Sequence, residues 1–255
     1  MLTLTDVGVR VVEMKQRKRR ENVPTVLGQQ VKERTWPVRH LNFHLEAGEA
    51  VFVLDIANHR PALFLRLVTG LLAPDEGTVT LPRRSLLSVA PSRKQLKYLS
   101  VEQSLRFIAG CCGLSDRAID RKFDDMVEFA GVSRLLHRQS QSQPRHVLAQ
   151  IGFAVATTAP VDLLAFDRTA IVGDKEFRAR CIQRLNELKA AGKGLVIYSQ
   201  DVRQVRAVAD RGLVLDGDKS SEFDPDMFAR MVIDDKQGRW QQKRKRRRRG
   251  DRKER

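Results

Sequence analysis

Apolar and polar side chains follow each other in patterns that predict strands at intervals along the chain. Residues 2–13 and 40–46 alternate apolar with polar side chains, which is typical of strands with one buried face. A short apolar segment at 213–215 predicts the final strand, and the polar, basic stretch 14–35 predicts a loop between strands. Unbroken apolar runs predict strands buried on both faces of a parallel sheet at 51–54, 161–166 and 195–199.

Helical patterns occupy the intervals between these strands. Pro61 suits the first position of a helix, where its missing N–H is not needed, and this helix is predicted to run to Gly70. Residues 100–137 are helical in pattern, with Ser100 and Gln103 as a weak capping box. Further helices are predicted at about 145–158, 175–191 and 202–209. Alternating strands and helices indicate an α/β fold with a parallel sheet, into which a helical subdomain at about 100–158 is inserted.

Length and charge add a domain organisation to this pattern. A chain of 255 residues suits one sizeable domain, predicted at 1–235, followed by a basic tail at 236–255. The formal net charge is +16, and residues 239–255 alone contain 11 Lys and Arg against 2 Asp and Glu. A second basic cluster lies at 15–20. We expect no signal peptide, and the three cysteines have no metal-type spacing, so they predict a reducing compartment.

The basic tail allows three interpretations. It has no apolar face after Trp240, so we do not expect it to fold alone. It is either a solvated disordered segment, a contact for anionic lipid with Trp240 at the interface, or, third in rank, a nucleic-acid contact.

Residues 41–80 carry the pattern of a phosphate-binding loop without its reactive residues. They read LNFHLEAGEAVFVLDIANHRPALFLRLVTGLLAPDEGTVT, which predicts a strand, a short loop, a helix and a turn. This order resembles the start of the ATP-binding subunit of an ABC transporter, whose loop is G-x-x-x-x-G-K-[ST]. In such loops the glycines let backbone N–H groups surround the phosphates, the Lys reaches the β- and γ-phosphates, and the hydroxyl binds Mg²⁺. The resemblance aligns this loop with Asp55 and Arg60 at the glycines, Pro61 at the Lys, Ala62 at the hydroxyl, and Asn58 and His59 between.

Residues 163–181 read LLAFDRTAIVGDKEFRARC and resemble the subgroup that exports capsular polysaccharide, O-antigen and teichoic acid. The resemblance makes Asp167 the equivalent of the Mg²⁺-ordering aspartate, and Gly173 and Asp174 part of the turn that touches a partner subunit. Arg168 then occupies the position of the glutamate that polarises the attacking water, and a cation cannot accept that proton. The alternative is that Asp167 only caps a turn after a strand.

Three further motifs are altered in the same comparison. Arg145 and His146 replace the serine and glycine of the signature motif, and Gln200 replaces the histidine that senses the γ-phosphate. Trp36 falls where an aromatic usually stacks on adenine, although a lone Trp more often serves packing. No glutamine of the Q-loop can be assigned near Gln95.

The resemblance implies an ABC-type nucleotide-binding domain: a parallel core related to P-loop NTPases, an antiparallel β subdomain and a helical subdomain. The preferred hypothesis is a pseudo-ATPase, a non-hydrolysing subunit or regulator of a polysaccharide exporter. It is expected to need no cofactor, because ATP and Mg²⁺ are implied by the resemblance alone. Its expected partners are an integral-membrane permease and a second copy or an active ATPase, at the cytoplasmic face of the membrane.

Two other functions stay open. One is a residual or unconventional ATPase for the same exporter, and the other is a polyanion- or nucleic-acid-binding adaptor. The altered site itself allows two interpretations: His59, Arg60 and Arg168 hold a phosphate or polyanion without Mg²⁺, or the side chains of Arg60 and Arg168 fill the site and pair with Asp55 and Asp167. We favour the filled site.

Overall fold

The computed structural model describes residues 1–16, 30–55, 60–167, 171, 173–199, 206–216 and 219–224. Within these ranges the strands are β1 Leu2–Gln16, β2 Gln30–Leu45, β3 Ala50–Asp55, β4 Glu76–Thr80, β5 Ser85–Ser88, β6 Leu163–Asp167, β7 Gly194–Tyr198, β8 Arg211–Asp216 and β9 Lys219–Phe223. The helices are α1 Arg60–Val68, α2 Val101–Cys111, α3 Asp116–Ala130, α4 Arg145–Ala156 and α5 Lys175–Ala190, with 3₁₀ turns at Ser133–Leu135 and Ser140–Ser142.

Six strands form the central sheet in the order β5-β6-β7-β3-β8-β9. The first five are parallel to their neighbours, and β9 pairs antiparallel with β8 at the edge. Because β3 lies between β7 and β8, the loop that follows β3 leaves from the middle of the sheet. This is the position at which open parallel sheets present ligand sites, beyond the carboxyl ends of the strands.

A second, antiparallel sheet has the order β2-β1-β4. The pairing of β1 with β2 is interrupted by register shifts near Asp6, a non-glycine residue with a positive φ of 50°. Gly77 in β4 lies against this irregular segment with φ of +78°, and a Cβ there would come within 2.3 Å of the Asp6 carbonyl oxygen. Only glycine therefore fits where β4 crosses the bulged part of β1.

The core is divided by the central sheet. Phe52 of β3 faces a cluster formed with α2 to α5, whereas Val51 and Val53 face a cluster formed with α1 and the antiparallel sheet. On that second side the Phe43 and Phe64 rings meet edge to face with centroids 5.1 Å apart. A strand with apolar residues on both faces is therefore buried from both sides, as the unbroken run 51–54 predicts.

The helical layer contains α2, α3 and α4, which pack on one another. Ser100 and Gln103 form the predicted capping box at the start of α2, with each side chain bonded to the other residue's backbone N–H at 3.1 and 2.9 Å. The Ser104 and Ser140 hydroxyls, both buried, bond each other at 2.7 Å and tie α2 to the segment before α4. None of the helices in the described ranges combines the length and apolar character needed to cross a bilayer.

Most predicted elements are confirmed within a few residues, and three predictions need correction. The loop at 14–35 is too long, because β1 continues to Gln16 and β2 begins at Gln30, where backbone pairing extends the ladder into a polar sequence. The strand at 213–215 is not the last, since β9 follows it. The helix at 202–209 lies partly outside the described residues, and its described residues 206–208 form a turn.

Candidate functional site

The junction of β3 and α1 is the centre of the site that the sequence predicts. Asp55 ends β3 and pairs with Leu215 of β8, and α1 begins five residues later at Arg60. The predicted site residues Asn58 and His59 lie outside the described residues, as do the side chains of Asp55 and Arg60.

Pro61 and Ala62 stand in the first turn of α1. Pro61 is buried and Ala62 is partly buried. The helix starts at Arg60, one residue before the prediction. Proline has no backbone N–H and alanine ends in a methyl group, so neither side chain offers an ammonium or a hydroxyl at this end of the helix.

Neighbouring strands bring a second predicted residue to the same edge. Asp167 ends β6 and pairs with Tyr198 at the end of β7, which lies beside β3. The carboxyl ends of these three parallel strands therefore share one edge, with Asp55 and Asp167 at the ends of their strands. Arg168 and Gln200 lie outside the described residues. Among the residues that are described, no three His, Cys, Asp or Glu side chains form a group that could hold a metal ion.

Gly173 and Asp174 form the approach to α5. Gly173 has φ of +89°, and a Cβ there would lie 2.9 Å from Nε2 of Gln150 and 3.2 Å from the Phe177 ring. Asp174 is the N-cap of α5, and its Oδ1 accepts a hydrogen bond from the Phe177 backbone N–H at 2.8 Å. Both predicted residues therefore have a structural role within this single chain. Gln150, which sequence reasoning did not select, is the α4 residue against which Gly173 packs.

Arg145 and His146 occupy the first turn of α4. Both are exposed, and Pro144 in front of them provides no side-chain cap. The positive charge of Arg145 at a helix N-terminus opposes the helix dipole, so this start is electrostatically unfavourable within the chain. The rest of α4 is firmly packed, with nine buried residues from Val147 to Ala156.

Trp36 lies on β2 against two guanidinium groups. The Arg39 and Arg10 Cζ atoms are 4.6 and 5.3 Å from its ring centroid. Arg39 is itself paired with Glu76 at 3.1 Å, and Gly8 leaves room for the indole, since a Cβ there would come within 3.0 Å of it. These contacts give Trp36 a packing role in the antiparallel sheet, and adenine stacking stays a prediction.

The opposite, amino end of β3 carries a charged network that the motifs did not predict. Arg211 of β8 bonds Glu49, Glu222 and the His44 carbonyl oxygen, and the Ala50 N–H donates to Asp210 at 2.9 Å. Burial opposes the charge of Glu49, but hydrogen bonds from Arg211 and from the Glu46 backbone prevail and lower the Glu49 pKa. The ion-paired end of β3 is thus distinct from the end that leads into α1.

Comparisons with known proteins extend the resemblance. The chain is 25% identical over 177 residues to a teichoic acids export ATP-binding protein from Listeria innocua, which covers 69% of this chain and 52% of that protein. It is 24% identical over 185 residues to an O-antigen export system ATP-binding protein from Klebsiella pneumoniae, covering 72% and 75%. The chain spans about half the length of the teichoic acid export proteins that it matches. No family model matches the chain.

Solved structures give the same fold at lower identity. The ATP-binding subunit of an ABC transporter superposes with a TM-score of 0.68 at 16% identity, covering 91% of this chain and 92% of that one. A dimeric ATP-binding cassette in a post-hydrolysis state with ADP and Pi gives a TM-score of 0.67 at 16% identity, with 88% and 99% covered. The chain therefore has the fold of an ATP-binding cassette and resembles in sequence the ATP-binding proteins of teichoic acid and O-antigen export systems.

Proposed function

We propose that this chain is a non-hydrolysing ATP-binding-cassette subunit, or a regulator, of a transporter that exports a polysaccharide or a related polymer. The names of its sequence relatives support the export system, and its fold supports the cassette. In this proposal the fold serves to bind partner subunits, and the side chains that bind and hydrolyse ATP are missing.

The observation that carries this proposal is the first turn of α1. A phosphate-binding loop needs a cation for the β- and γ-phosphates and a hydroxyl for Mg²⁺, and here those positions are Pro61 and Ala62. A change of side-chain rotamer cannot supply the cation or the hydroxyl, because the side chains of Pro61 and Ala62 contain neither group. The described residues at this turn therefore do not fit Mg-ATP, and we derive no hydrolytic step through it.

The other substitutions act in the same direction. Arg168 stands for the glutamate that would polarise water, and Gln200 for the histidine near the γ-phosphate. Removing a general base alone typically slows a reaction by about 10²–10⁴-fold. Phosphoryl transfer depends on positioning and charge stabilisation by several such groups together, so their joint loss predicts little or no turnover.

An ATPase assay tests this proposal. The purified chain, with Mg-ATP in excess, is expected to release phosphate at the rate of a buffer blank. Variants carrying single substitutions at the carboxyl edge, such as Asp167→Asn, are expected to change nothing. A rate above the blank that Asp167→Asn abolishes would contradict the proposal and favour the residual ATPase.

Partners follow from the same proposal. A subunit of this kind docks on the cytoplasmic side of an integral-membrane permease and pairs with a second copy or with an active ATPase. Co-purification with a permease and a second, competent ATPase supports the role proposed here. A functional exporter in which this chain is the sole ATPase contradicts it.

The basic segment 239–255 supports a contact with anionic lipid, which we propose as an aid to membrane attachment. Each Lys or Arg near an anionic surface contributes about 1 kcal/mol. Sedimentation with phosphatidylserine vesicles is expected to fall sharply when residues 239–255 are deleted, and to be unchanged with neutral vesicles. Tighter, salt-sensitive binding to nucleic acid than to these vesicles would instead favour the polyanion-binding adaptor.

A further inference from the structure

A cleft of about 590 Å³ separates α3 from α5. Its base is the segment 157–160, which joins α4 to the amino end of β6, and Lys193 lies beside it just before β7. It thus opens near the amino ends of β6 and β7, at the opposite end of the sheet from Asp55 and Asp167. The proposed loss of ATP chemistry leaves this cleft unaffected.

Cationic side chains from three separate segments line the cleft. Two carboxylates line it as well, which leaves a formal excess of two positive charges. The cations are Lys122 of α3, Arg180 and Arg184 of α5, and Lys193, and the carboxylates are Asp125 and Glu128 of α3.

The guanidinium groups of the two arginines pack against aromatic rings. The Arg184 and Arg180 Cζ atoms lie 4.8 and 5.8 Å from the Phe129 ring centroid, and Arg180 also lies 5.2 Å from that of Phe177. Phe129 in turn stacks on Phe153 with centroids 5.8 Å apart, so its position is fixed by the core. A guanidinium packed on a ring by its face keeps the N–H donors of its edge available.

Neutralisation of these cations is incomplete. Arg184 pairs with Glu187 at 3.3 Å, and Lys193 reaches Asp162 only at 4.0 Å. Lys122 makes a long bond of 3.4 Å to the Thr158 carbonyl oxygen. Within the described part of the chain, neither Lys122 nor Arg180 is within 4 Å of a carboxylate oxygen, and neither Asp125 nor Glu128 is within 4 Å of a cation. Several charged groups that line the cleft therefore do not neutralise one another, and they are available to a charged ligand.

We propose that this cleft binds a phosphate group carrying two or more negative charges, such as a pyrophosphate or a phosphate monoester. Arginine edges and lysine ammonium groups are the usual partners of phosphate oxygens. The volume lies within the range of small-molecule sites, about 300–1,000 Å³. The formal excess of two positive charges attracts a doubly charged anion more strongly than a singly charged one, so the cleft selects for charge.

Titration calorimetry of the full chain with inorganic pyrophosphate tests the proposal. Arg180→Gln and Lys122→Gln are each expected to raise the dissociation constant about tenfold, the effect of losing one charge-assisted contact. Arg117→Gln, which removes an exposed cation of α3 that does not line the cleft, is the matched control and is expected to leave the constant within a factor of two. Equal losses in all three variants would overturn the proposal, because they would report net charge alone.

The carboxylates provide a second test, in which the substitutions are expected to strengthen pyrophosphate binding. Asp125→Asn combined with Glu128→Gln is expected to tighten pyrophosphate binding about tenfold, since two repulsive charges leave the cleft. Binding in the basic tail would not respond to this change. An unchanged constant, or no saturable binding by the native chain, would overturn the proposal.

The charge requirement separates two sources of phosphate. Pyrophosphate and a monoester carry about two or more charges, whereas a phosphodiester such as glycerophosphoglycerol carries one per phosphorus. The cleft is expected to bind the diester at least tenfold more weakly. Equal affinity for the diester would contradict the selection for charge and overturn the proposal as stated.

Discussion

The junction of β3 with α1 and the start of α5 both align with motifs of the ATP-binding proteins that the sequence resembles, but they differ in which residues match those motifs. At the junction the cation and the hydroxyl are replaced by Pro61 and Ala62. At the start of α5 the pattern persists in Gly173 and Asp174, and these two residues have visible structural contacts: Gly173 packs against Gln150, and Asp174 caps the helix.

The two regions differ in what their residues do for the folded chain. A phosphate-binding lysine and a Mg²⁺-binding hydroxyl do nothing for the folded chain in the absence of the ligand. A glycine at positive φ and a helix cap contribute to stability with or without it. The contacts of Gly173 and Asp174 thus give both residues a role in folding that does not depend on a bound nucleotide.

Phe177→Ala is expected to have the largest effect on the stability of the region around α5. Phe177 is fully buried, follows the Gly173–Asp174 turn and contacts the Phe129 and Phe153 rings. Truncating such a side chain typically costs about 3–5 kcal/mol of unfolding free energy. Urea unfolding measures this, and Phe107→Ala, at a phenylalanine that is 54% exposed, is the surface control. Comparable losses in both variants would argue against a rigid core behind the turn.

Gly173→Ala is expected to have the next largest effect. A side chain at φ of +89° is strained, and the new Cβ would crowd both Gln150 and Phe177. We expect a loss of about 1–3 kcal/mol in the free energy of unfolding. Gly113→Ala isolates the strain, because Gly113 has φ of +82° with nothing within 4 Å. If the two variants lose the same amount, the packing of Gly173 against Gln150 has no energetic weight.

Asp174→Ala removes a helix cap and is expected to cost about 1 kcal/mol. Asp174→Asn keeps the acceptor for the Phe177 N–H and should retain most of the stability, which differential scanning calorimetry can resolve. If Asp174→Ala leaves the free energy of unfolding unchanged, helix capping is not the main role of this aspartate. Contact with a partner subunit would then be the alternative.

Glu49→Gln probes the amino end of β3 through pH. The Glu49 pKa is lowered in the folded chain from an ordinary value of 4.5, because its hydrogen bonds outweigh the cost of burial. The charged form thus stabilises the fold above about pH 4.5, and this contribution is lost as the pH falls further. Chemical unfolding should show Glu49→Gln less stable than the native chain at pH 7, with the gap narrowing as the pH falls below 4.5. A gap that widens in acid would contradict a lowered Glu49 pKa in the folded chain.

Much of the scaffold could be predicted because local pattern and tertiary environment agree. The run 51–54 has apolar residues on both sides of the chain, and β3 is buried on both faces. Ser100 and Gln103 close a capping box through bonds that lie within one turn. In both cases neighbours along the chain determine the outcome.

The missed features depend on partners that are distant in sequence. β9 reads KSSEF and has no apolar alternation, and it forms by pairing with β8, where Gly212 leaves space for the Phe223 ring. The cationic cleft is lined by residues of three segments, from Lys122 to Lys193, so no short sequence motif predicts it. By contrast, the resemblance of residues 55–62 to a phosphate-binding loop can be found in the sequence, because those residues are contiguous.

Calorimetric titration of the purified native chain with Mg-ATP, beside a variant with Arg60→Gly, Pro61→Lys and Ala62→Ser, tests the central claim most directly. We predict no saturable Mg²⁺-dependent heat from the native chain and a gain of such heat in the variant, which restores the missing ammonium and hydroxyl. Micromolar, Mg²⁺-dependent binding by the native chain would contradict it, and would make this a working nucleotide site.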